Sequence, residues 1–253
     1  MTRGFVIMAQ DTNKTKYTKC AEVLKKSLLR VMPNSNVTII TTEMLPHGDQ
    51  APNSDWKLIN DWQVYEASPY DETIKLEADM YLPRSIEHWW DILSMNDVNI
   101  CTTIRNFKGE VSHNRGYRKF IDDNNLPDTY NAITYFKKSD TAEQFFNIVR
   151  NVFENWEEYK TILKCNPQEE ATTDWVYAIA SHLVGVEKTT LPGFNEFSMT
   201  HMKQFVNDMP TENWTDTLIY ECFPDLIRIN TYPQSYPLHY HVKNFVDIIG
   251  EQL

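Results

Sequence analysis

The sequence predicts an α/β protein with a mixed, mainly parallel sheet flanked by helices. Residues 4–10 (GFVIMAQ) form a short apolar run that is typical of a buried strand. Residues 16–31 then place apolar side chains at helical spacing with lysines opposite, and the β-branched run 36–42 (NVTIITT) favours a second strand. A strand, a helix and a strand in about forty residues are the pattern of a parallel sheet with right-handed crossovers.

The later segments continue this alternation. Residue 83 is a proline that precedes a short amphipathic helix, and the aromatic stripe of residues 140–163 predicts the strongest helix of the chain. We find no internal repeat and no linker, so we expect one domain, residues 1–253. The other predicted elements are helices over 55–66, 85–93 and 175–184, strands over 73–76, 98–105, 132–136 and 228–230, a short strand carrying two histidines, and a last helix.

Composition excludes several classes of function. The chain has only 7 glycines and contains neither GxGxxG nor GxxxxGK[ST], which argues against dinucleotide-binding and P-loop proteins. Its net charge of -11 argues against a protein dedicated to binding nucleic-acid phosphates. A local basic groove stays open as an alternative to a solvated loop, formed by Arg105, Lys108, Arg115, Arg118 and Lys119.

The cysteines and the N-terminus indicate a protein of the reducing cytoplasm. The four cysteines are far apart and form no CxxC pair, which favours free thiols. The apolar run 5–9 is too short for a signal peptide or a membrane span, and no later stretch is long enough. We therefore expect a cytoplasmic protein without a membrane partner.

Two carboxylates follow the apolar strand 73–76, with only Ala78 between them. Residues two apart on a strand project to the same side, so Glu77 and Asp79 should project together at the carboxyl end of the strand. Open α/β sheets bind ligands at that end. The two charges would repel unless a cation lies between them, and Mg²⁺ or Mn²⁺ suits oxygen ligands. The alternative interpretation is a solvated acidic turn.

The segment SPYDETIKLEADMYLP, residues 68–83, resembles the aspartate-x-aspartate segment of GT-A-fold, nucleotide-sugar-dependent glycosyltransferases of the glycogenin and galactosyltransferase type. The resemblance extends loosely to the β-α-β opening, to YNAITYF (130–136), to the acidic residues before the helix at 172–175 and to HYHVK (239–243). It implies a Rossmann-like GT-A domain. Residues 1–110 would be its nucleotide-sugar-binding half, and residues 111–253 would be its acceptor half with a C-terminal metal and phosphate segment.

The resemblance also implies a metal site and a diphosphate site. Asp79 would bind Mn²⁺ or Mg²⁺, and Glu77, which stands where the family has its first aspartate, would bind the metal, a metal-bound water or the ribose. A C-terminal histidine, His239 or His241, would complete the site, although one core and one exposed histidine is the alternative. Lys243 would contact the diphosphate. Further donor contacts are expected from Ala78 and Arg105, and from the end of the first strand, at Ala9, Gln10, Asp11 and Lys16.

Asp174 is the candidate catalytic residue, because an inverting transfer needs a carboxylate to take the proton of the acceptor hydroxyl. In a retaining transfer, Asp174 would only hold the donor sugar. The alternative role is local, since Thr172, Thr173 or Asp174 can cap the helix that follows.

The expected activity is metal-dependent transfer of a hexose or pentose from a nucleotide-diphosphate sugar, with UDP expected as the nucleotide, to an acceptor hydroxyl. The chain also resembles glycosyltransferase-like proteins of tailed phages, which implies a hydroxymethylated pyrimidine in DNA as one acceptor and the host cytoplasm as the location. A saccharide, a protein or a small molecule is the other acceptor class. Two alternative functions stay open: a nucleotidyltransferase that makes nucleotide sugars, and a non-catalytic nucleotide-sugar-binding protein.

Overall fold

The computed structural model describes residues 1–116, 118–223 and 225–252. Its strands are β1 (Arg3–Met8), β2 (Val37–Ile40), β3 (Glu72–Glu77), β4 (Met80–Tyr81), β5 (Val98–Cys101), β6 (Thr103–Arg105), β7 (Tyr130–Lys137), β8 (Ser198–His201), β9 (Tyr220–Phe223), β10 (Leu226–Ile229), β11 (Tyr232–Pro233) and β12 (Leu238–His239).

The helices lie between these strands and around them. They are α1 (Tyr17–Val31), α2 (Val64–Ala67), α3 (Trp89–Leu93), α4 (Lys119–Asp123), α5 (Asp140–Glu154), α6 (Trp156–Ile162), α7 (Thr173–Val184), α8 (Val186–Thr189), α9 (Gln204–Asn207) and α10 (Phe245–Gly250). Short 3₁₀ helices cover Thr42–Met44, Leu58–Gln63 and Trp214–Asp216.

The central sheet has five strands in the order β2-β1-β3-β7-β5. Strand β1 pairs in parallel with β2 and with β3, whereas β7 is antiparallel to both β3 and β5. Four of the five strands therefore run in one direction and only β7 runs against them. The predicted fold class, a mixed and mainly parallel sheet flanked by helices, is confirmed.

Helices cover both faces of the central sheet. Phe5 and Ile7 of β1 pack into one hydrophobic cluster with α1 and α10, whereas Val6 packs into a second cluster with α5 and α7. Because successive strand residues point to opposite faces, a strand that is covered on both sides must be apolar throughout. This explains why residues 4–8 form a continuous apolar run.

A second sheet, in the order β4-β12-β8-β6, extends from the carboxyl end of β3. Its strand β12 is antiparallel to β4, with His239 opposite Met80, and parallel to β8, with His239 opposite His201. A third sheet, β11-β10-β9, is antiparallel. The second sheet matters most for function, because it brings the C-terminal histidines to the end of β3.

The chain returns to the central sheet after residue 110. Strand β7, which belongs to the predicted acceptor half, lies between β3 and β5 of the predicted nucleotide-sugar half. The two halves therefore share one sheet.

Several predicted elements have different lengths in the structure. Residues 98–105 form two strands, because the chain leaves the central sheet after β5 and enters the second sheet at β6. The helix predicted over 140–163 is interrupted at Asn155, whose side-chain amide donates to the carbonyl of Asn151, 2.9 Å away. Residues 55–66 are mainly 3₁₀ helix.

The SPYD segment, residues 68–71, attaches β3 to its neighbours. The Tyr70 hydroxyl lies 2.7 Å from Thr38 Oγ1, and Asp71 accepts a hydrogen bond of 2.6 Å from the backbone N–H of Thr2. The Tyr70 ring lies directly on Gly4, where an added Cβ would be 2.3 Å from Tyr70 Cε2. Gly4 is therefore required by close packing rather than by its backbone angles.

We predict that Gly4→Ala lowers the free energy of unfolding by about 1–3 kcal/mol, because the Tyr70 ring must move. Urea denaturation of a double-mutant cycle measures this effect. In a Tyr70→Ala background, the same substitution should cost less than about 0.5 kcal/mol. Equal losses in the two backgrounds would contradict the packing explanation.

Candidate active site

A cavity of 530 Å³ opens at the carboxyl ends of β1 and β3. Residues of both predicted halves line it, and most of them carry polar side chains. They include Gln10, Tyr17, Asp61, Lys75, Glu77, Ala78, Asp79, Arg118, Asp174, His201, His239, His241 and Lys243.

Glu77, Asp79 and His239 converge on one point of this cavity. His239 Nε2 lies 2.9 Å from Asp79 Oδ2 and 3.3 Å from Glu77 Oε2. One ligand atom from each of the three side chains can be chosen so that all lie within 4.8 Å of one another. Asp79 and His239 are buried, whereas the Glu77 side chain is 28% exposed.

Backbone pairing produces this convergence. Glu77 ends β3 and Asp79 immediately precedes β4, so the turn between the two strands holds both carboxylates. Pairing of β12 with β4 places His239 beside that turn, and the N–H of Tyr240 donates to the carbonyl of Asp79 over 3.1 Å. His201 of β8 stands next to His239, with 4.7 Å between the ring centroids.

The two carboxylates have opposite pKa shifts. Burial acts to raise the pKa of Asp79, but His239 and Lys243 outweigh burial and hold that pKa well below its usual range. Burial dominates at Glu77 and raises its pKa, although His239 partly offsets it. Asp79 therefore has the greater share of the local positive charge. A divalent cation would supply the positive charge that Glu77 lacks, and two carboxylates with one imidazole suit Mn²⁺ better than Ca²⁺.

His241 lies outside this three-residue cluster. The predicted strand with two histidines is too long, because β12 ends at His239 and His241 has a left-handed backbone with φ of 61°. Its Nε2 is 3.7 Å from Glu212 Oε2. Burial and the nearby His239 and Lys243 lower the pKa of His241 to about 4. Of the two candidate histidines, the structure brings His239 to the carboxylates.

Lys243 contacts the same oxygen of Asp79 as His239 does. Its ammonium contacts Asp79 Oδ2 and lies 5.5 Å from the centroid of the Tyr17 ring. Burial acts to lower the pKa of Lys243, but Asp79 outweighs burial and raises it. The charged ammonium therefore lines the cavity beside the candidate metal ligands, where a diphosphate contact was expected.

Of the four residues at the end of β1 that were expected to contact the donor, Gln10 lines the cavity. The Gln10 side chain is buried, and its Nε2 has no hydrogen-bond partner within the part of the chain that the structure describes. Asp11 instead accepts hydrogen bonds from the backbone N–H and hydroxyl of Thr18, in the first turn of α1, and Lys16 lies 3.5 Å from Asp11. Asp11, Lys16 and Ala9 do not line the cavity, so the structure gives Asp11 a helix-capping role.

Arg105 is also placed elsewhere. Its guanidinium donates to Ser198 Oγ and to the carbonyls of Gly109 and Asn195, and stacks 4.2 Å from the centroid of the Tyr236 ring. It does not line the cavity, and its contact with the donor stays a prediction. These partners fix Arg105 to the loop that follows β6.

Asp174 lines the cavity at the start of α7 with both carboxylate oxygens bonded. Oδ1 accepts from the backbone N–H of Asn131 at 2.9 Å, and Oδ2 lies 3.3 Å from Arg118 Nη1. The cap of α7 is Thr172, whose hydroxyl accepts from the N–H of Trp175. The capping role is therefore taken by another residue, and the Asp174 side chain is directed toward β7.

The sequence analysis missed Lys75 and Asp61. Lys75 lies in the middle of the buried strand β3, and its Nζ is 2.6 Å from Asp61 Oδ1. Both residues line the cavity. A charged residue within an apolar strand is costly without a partner, so the pattern ETIKLE was a usable signal for Lys75.

Comparison with known proteins identifies the architecture. No protein-family model and no curated protein sequence matches the chain. Among solved structures, mouse xyloside xylosyltransferase 1 in its apo form is similar at a TM-score of 0.51 and 10% identity, over 85% of this chain and 92% of that one. The chain adopts the GT-A fold. Its mixed, mainly parallel central sheet is consistent with that assignment.

Two further solved structures have lower scores. The galactosyltransferase LgtC in complex with donor and acceptor sugar analogs has a TM-score of 0.46 at 14% identity, over 74% of this chain and 72% of that one. The bifunctional WbbM glycosyltransferase has a TM-score of 0.49 at 15% identity over 85% of this chain. The chain spans only 43% of the length of WbbM. Within the described residues, no helix is both long and apolar enough to cross a membrane.

Arg118 and Arg115 both pair with Asp128, but only Arg118 is buried, with 2% of its side chain exposed against 43% for Arg115. We predict that Arg118→Met lowers the free energy of unfolding by about 1–3 kcal/mol, because Asp128, Asp174 and the carbonyl of Thr129 lose a buried hydrogen-bond donor. Arg115→Met should cost less than about 1 kcal/mol. Urea denaturation compares the two variants, and similar losses would show that burial of Arg118 does not determine its contribution.

Proposed function

We propose that this chain is a metal-dependent glycosyltransferase that moves a sugar from a nucleotide-diphosphate donor, with UDP as the expected nucleotide, to an acceptor hydroxyl. The observation that carries the proposal is the cluster of Glu77, Asp79 and His239 beside Lys243. The cluster lies in a cavity at the carboxyl ends of the strands of a GT-A fold. The similar solved structures named above are themselves glycosyltransferases.

Three groups of residues have separate roles in this proposal. Asp79, Glu77 and His239 would hold Mn²⁺ or Mg²⁺, which when bound acts as a Lewis acid on the diphosphate leaving group. Lys243 binds the diphosphate and offsets the negative charge that develops on it. Gln10 presents an unpaired, buried amide N–H at the end of β1, which suits a carbonyl oxygen of a nucleobase.

We assign Asp174 to orienting the donor sugar. Its two oxygens are bonded to Asn131 and Arg118, which fixes the carboxylate relative to the sheet. A role as general base in an inverting transfer would require one of these bonds to be given up as the acceptor binds.

The charges around residues 105–119 distinguish between the acceptor classes. The hypothesis that the acceptor is a hydroxymethylated pyrimidine in DNA requires a basic groove around residues 105–119 to bind the DNA phosphates. Arg115 is paired with Asp122 and Asp128, and Arg118 with Asp128 and Asp174. These ion pairs reduce the positive potential that DNA would meet there. A saccharide or small-molecule hydroxyl therefore fits the charge of this segment better.

We predict that a nucleoside diphosphate together with Mn²⁺ raises the melting temperature by roughly 5–10 °C at a hundredfold excess over Kd, because the ligands bind only the folded chain. Asp79→Asn should remove most of this shift. Asp91→Asn, a change at a carboxylate with 87% of its side chain exposed, is the control and should keep the shift.

Product analysis in the same screen separates the alternatives. A glycosyltransferase releases nucleoside diphosphate from a nucleotide sugar, whereas a nucleotidyltransferase releases pyrophosphate from a nucleoside triphosphate. Binding without either product would indicate a non-catalytic nucleotide-sugar-binding protein. If no nucleotide shifts the melting temperature with Mn²⁺, the proposed function is wrong.

A further inference from the structure

Lys75 is a buried cation on the wall of the candidate active site. It lies on β3 two residues before Glu77, so both side chains project from the same face of the sheet. The side chain is only 1% exposed, yet it lines the cavity. Burial of an ammonium group is costly, so its surroundings should supply acceptors for its three N–H donors.

The contacts of Lys75 do not supply acceptors for all three of its N–H donors. Its Nζ forms an ion pair with Asp61 Oδ1 at 2.6 Å, and no hydrogen-bond partner of Nζ is found among the described residues. The ring of Tyr177 lies beneath the ammonium at 5.7 Å. Lys75 is therefore charge-balanced by Asp61 while its N–H donors are free for a ligand.

Asp61 is held rigidly in place. Its Oδ2 accepts hydrogen bonds from the Tyr177 hydroxyl at 2.5 Å and from Asn131 Nδ2 at 3.3 Å. Burial raises the pKa of Tyr177 well above its usual range, and Asp61 adds to this effect, so the phenol keeps the proton that it donates. Because these two bonds fall on Oδ2, the Oδ1 atom that faces Lys75 retains lone pairs for another donor.

Asn131 connects this pair to the residue assigned to the donor sugar. Its side chain donates to Asp61, and its backbone N–H donates to Asp174 Oδ1. Asp61, Asn131 and Asp174 therefore form one hydrogen-bonded network, and Lys75 joins it through its ion pair with Asp61. Lys75, Asp61 and Asp174 all line the cavity that Glu77 also lines.

We propose that the Lys75–Asp61 pair recognises a hydroxyl group of the transferred sugar. This inference rests on the proposed function. A hydroxyl can accept from Lys75 Nζ and donate to Asp61 Oδ1 at the same time, which satisfies both atoms. The pair carries no net charge, so it favours a neutral hydroxyl over a carboxylate or phosphate substituent. The two residues thereby select a donor sugar that has a free hydroxyl at one position.

The test compares two ligands by calorimetry in the presence of Mn²⁺: a nucleoside diphosphate, and the nucleotide sugar that the wild-type protein binds. In Lys75→Met and in Asp61→Asn, the Kd for the nucleotide sugar should rise about 10–100-fold, because a buried partner of the sugar hydroxyl is lost. The Kd for the nucleoside diphosphate should stay within about twofold of the wild-type value, because that ligand lacks the sugar.

Lys137→Met is the matched control variant. Lys137 is another strand lysine of the same sheet, paired with Asp97 at 2.9 Å, and it does not line the cavity. It should change neither Kd. If Lys75→Met loses affinity equally for both ligands, the Lys75–Asp61 pair only supports the fold. If it loses affinity for neither ligand, the pair does not contact the sugar.

A second measurement varies the donor sugar and uses the wild-type protein and Lys75→Met. Monodeoxy analogues of the donor sugar should include one that binds at least about tenfold more weakly, because it leaves Lys75 and Asp61 unpaired. In Lys75→Met, the same analogue should lose less affinity relative to the parent sugar than it does in the wild-type protein. If every deoxy analogue binds like the parent sugar, the inference is wrong while the proposed function stands. If the wild-type protein binds neither nucleotide nor nucleotide sugar, both are wrong.

Discussion

Two carboxylates at the end of a buried strand need positive charge nearby, and the second sheet of this fold supplies it. Glu77 and Asp79 would repel each other at the carboxyl end of β3 without nearby positive charge. The compensating groups, His239 and Lys243, come from a segment 160 residues away from Asp79 in the chain. The pairing of β12 with β4 and β8 delivers them. The second sheet is thus the part of the fold that makes the site.

The positive charge in the site is shared unequally between the two carboxylates. Asp79 has both His239 and Lys243 as partners and a lowered pKa, whereas Glu77 has a raised pKa and a partly exposed side chain. A bound divalent cation would complete the balance, since it favours the charged form of both acids. Lys243 would then be available for phosphate oxygens. Lys75 is in a similar position, because Asp61 balances its charge while its Nζ has no hydrogen-bond partner among the residues that the structure describes.

Local sequence patterns were sufficient for the central sheet and its helices. The strands β1, β2 and β3 follow from short apolar or β-branched runs, because they are buried in the sheet, and the helices α1 and α7 follow from their apolar side chains at helical spacing. The carboxylate pair was recognisable for the same reason: its position at a strand end follows from the strand itself.

Local sequence patterns could not predict where the side chains that follow a strand end are directed. His239 and His241 look equivalent in LHYHVK, but β12 stops between them and the backbone of His241 turns into the left-handed region. Asp11 follows a strand that ends at the cavity, yet it bonds to Thr18. Arg105 entered a different sheet because residues 98–105 divide between two ladders. Each outcome depends on long-range pairing that a local pattern does not contain.

The central claim is that Glu77, Asp79 and His239 form a divalent-cation site, and electron paramagnetic resonance of Mn²⁺ during titration of the protein tests it most directly. We predict about one bound ion per chain, weakened at least about tenfold in His239→Gln and within about twofold of wild type in His241→Gln. Absence of binding, or equal effects of the two substitutions, would contradict the account.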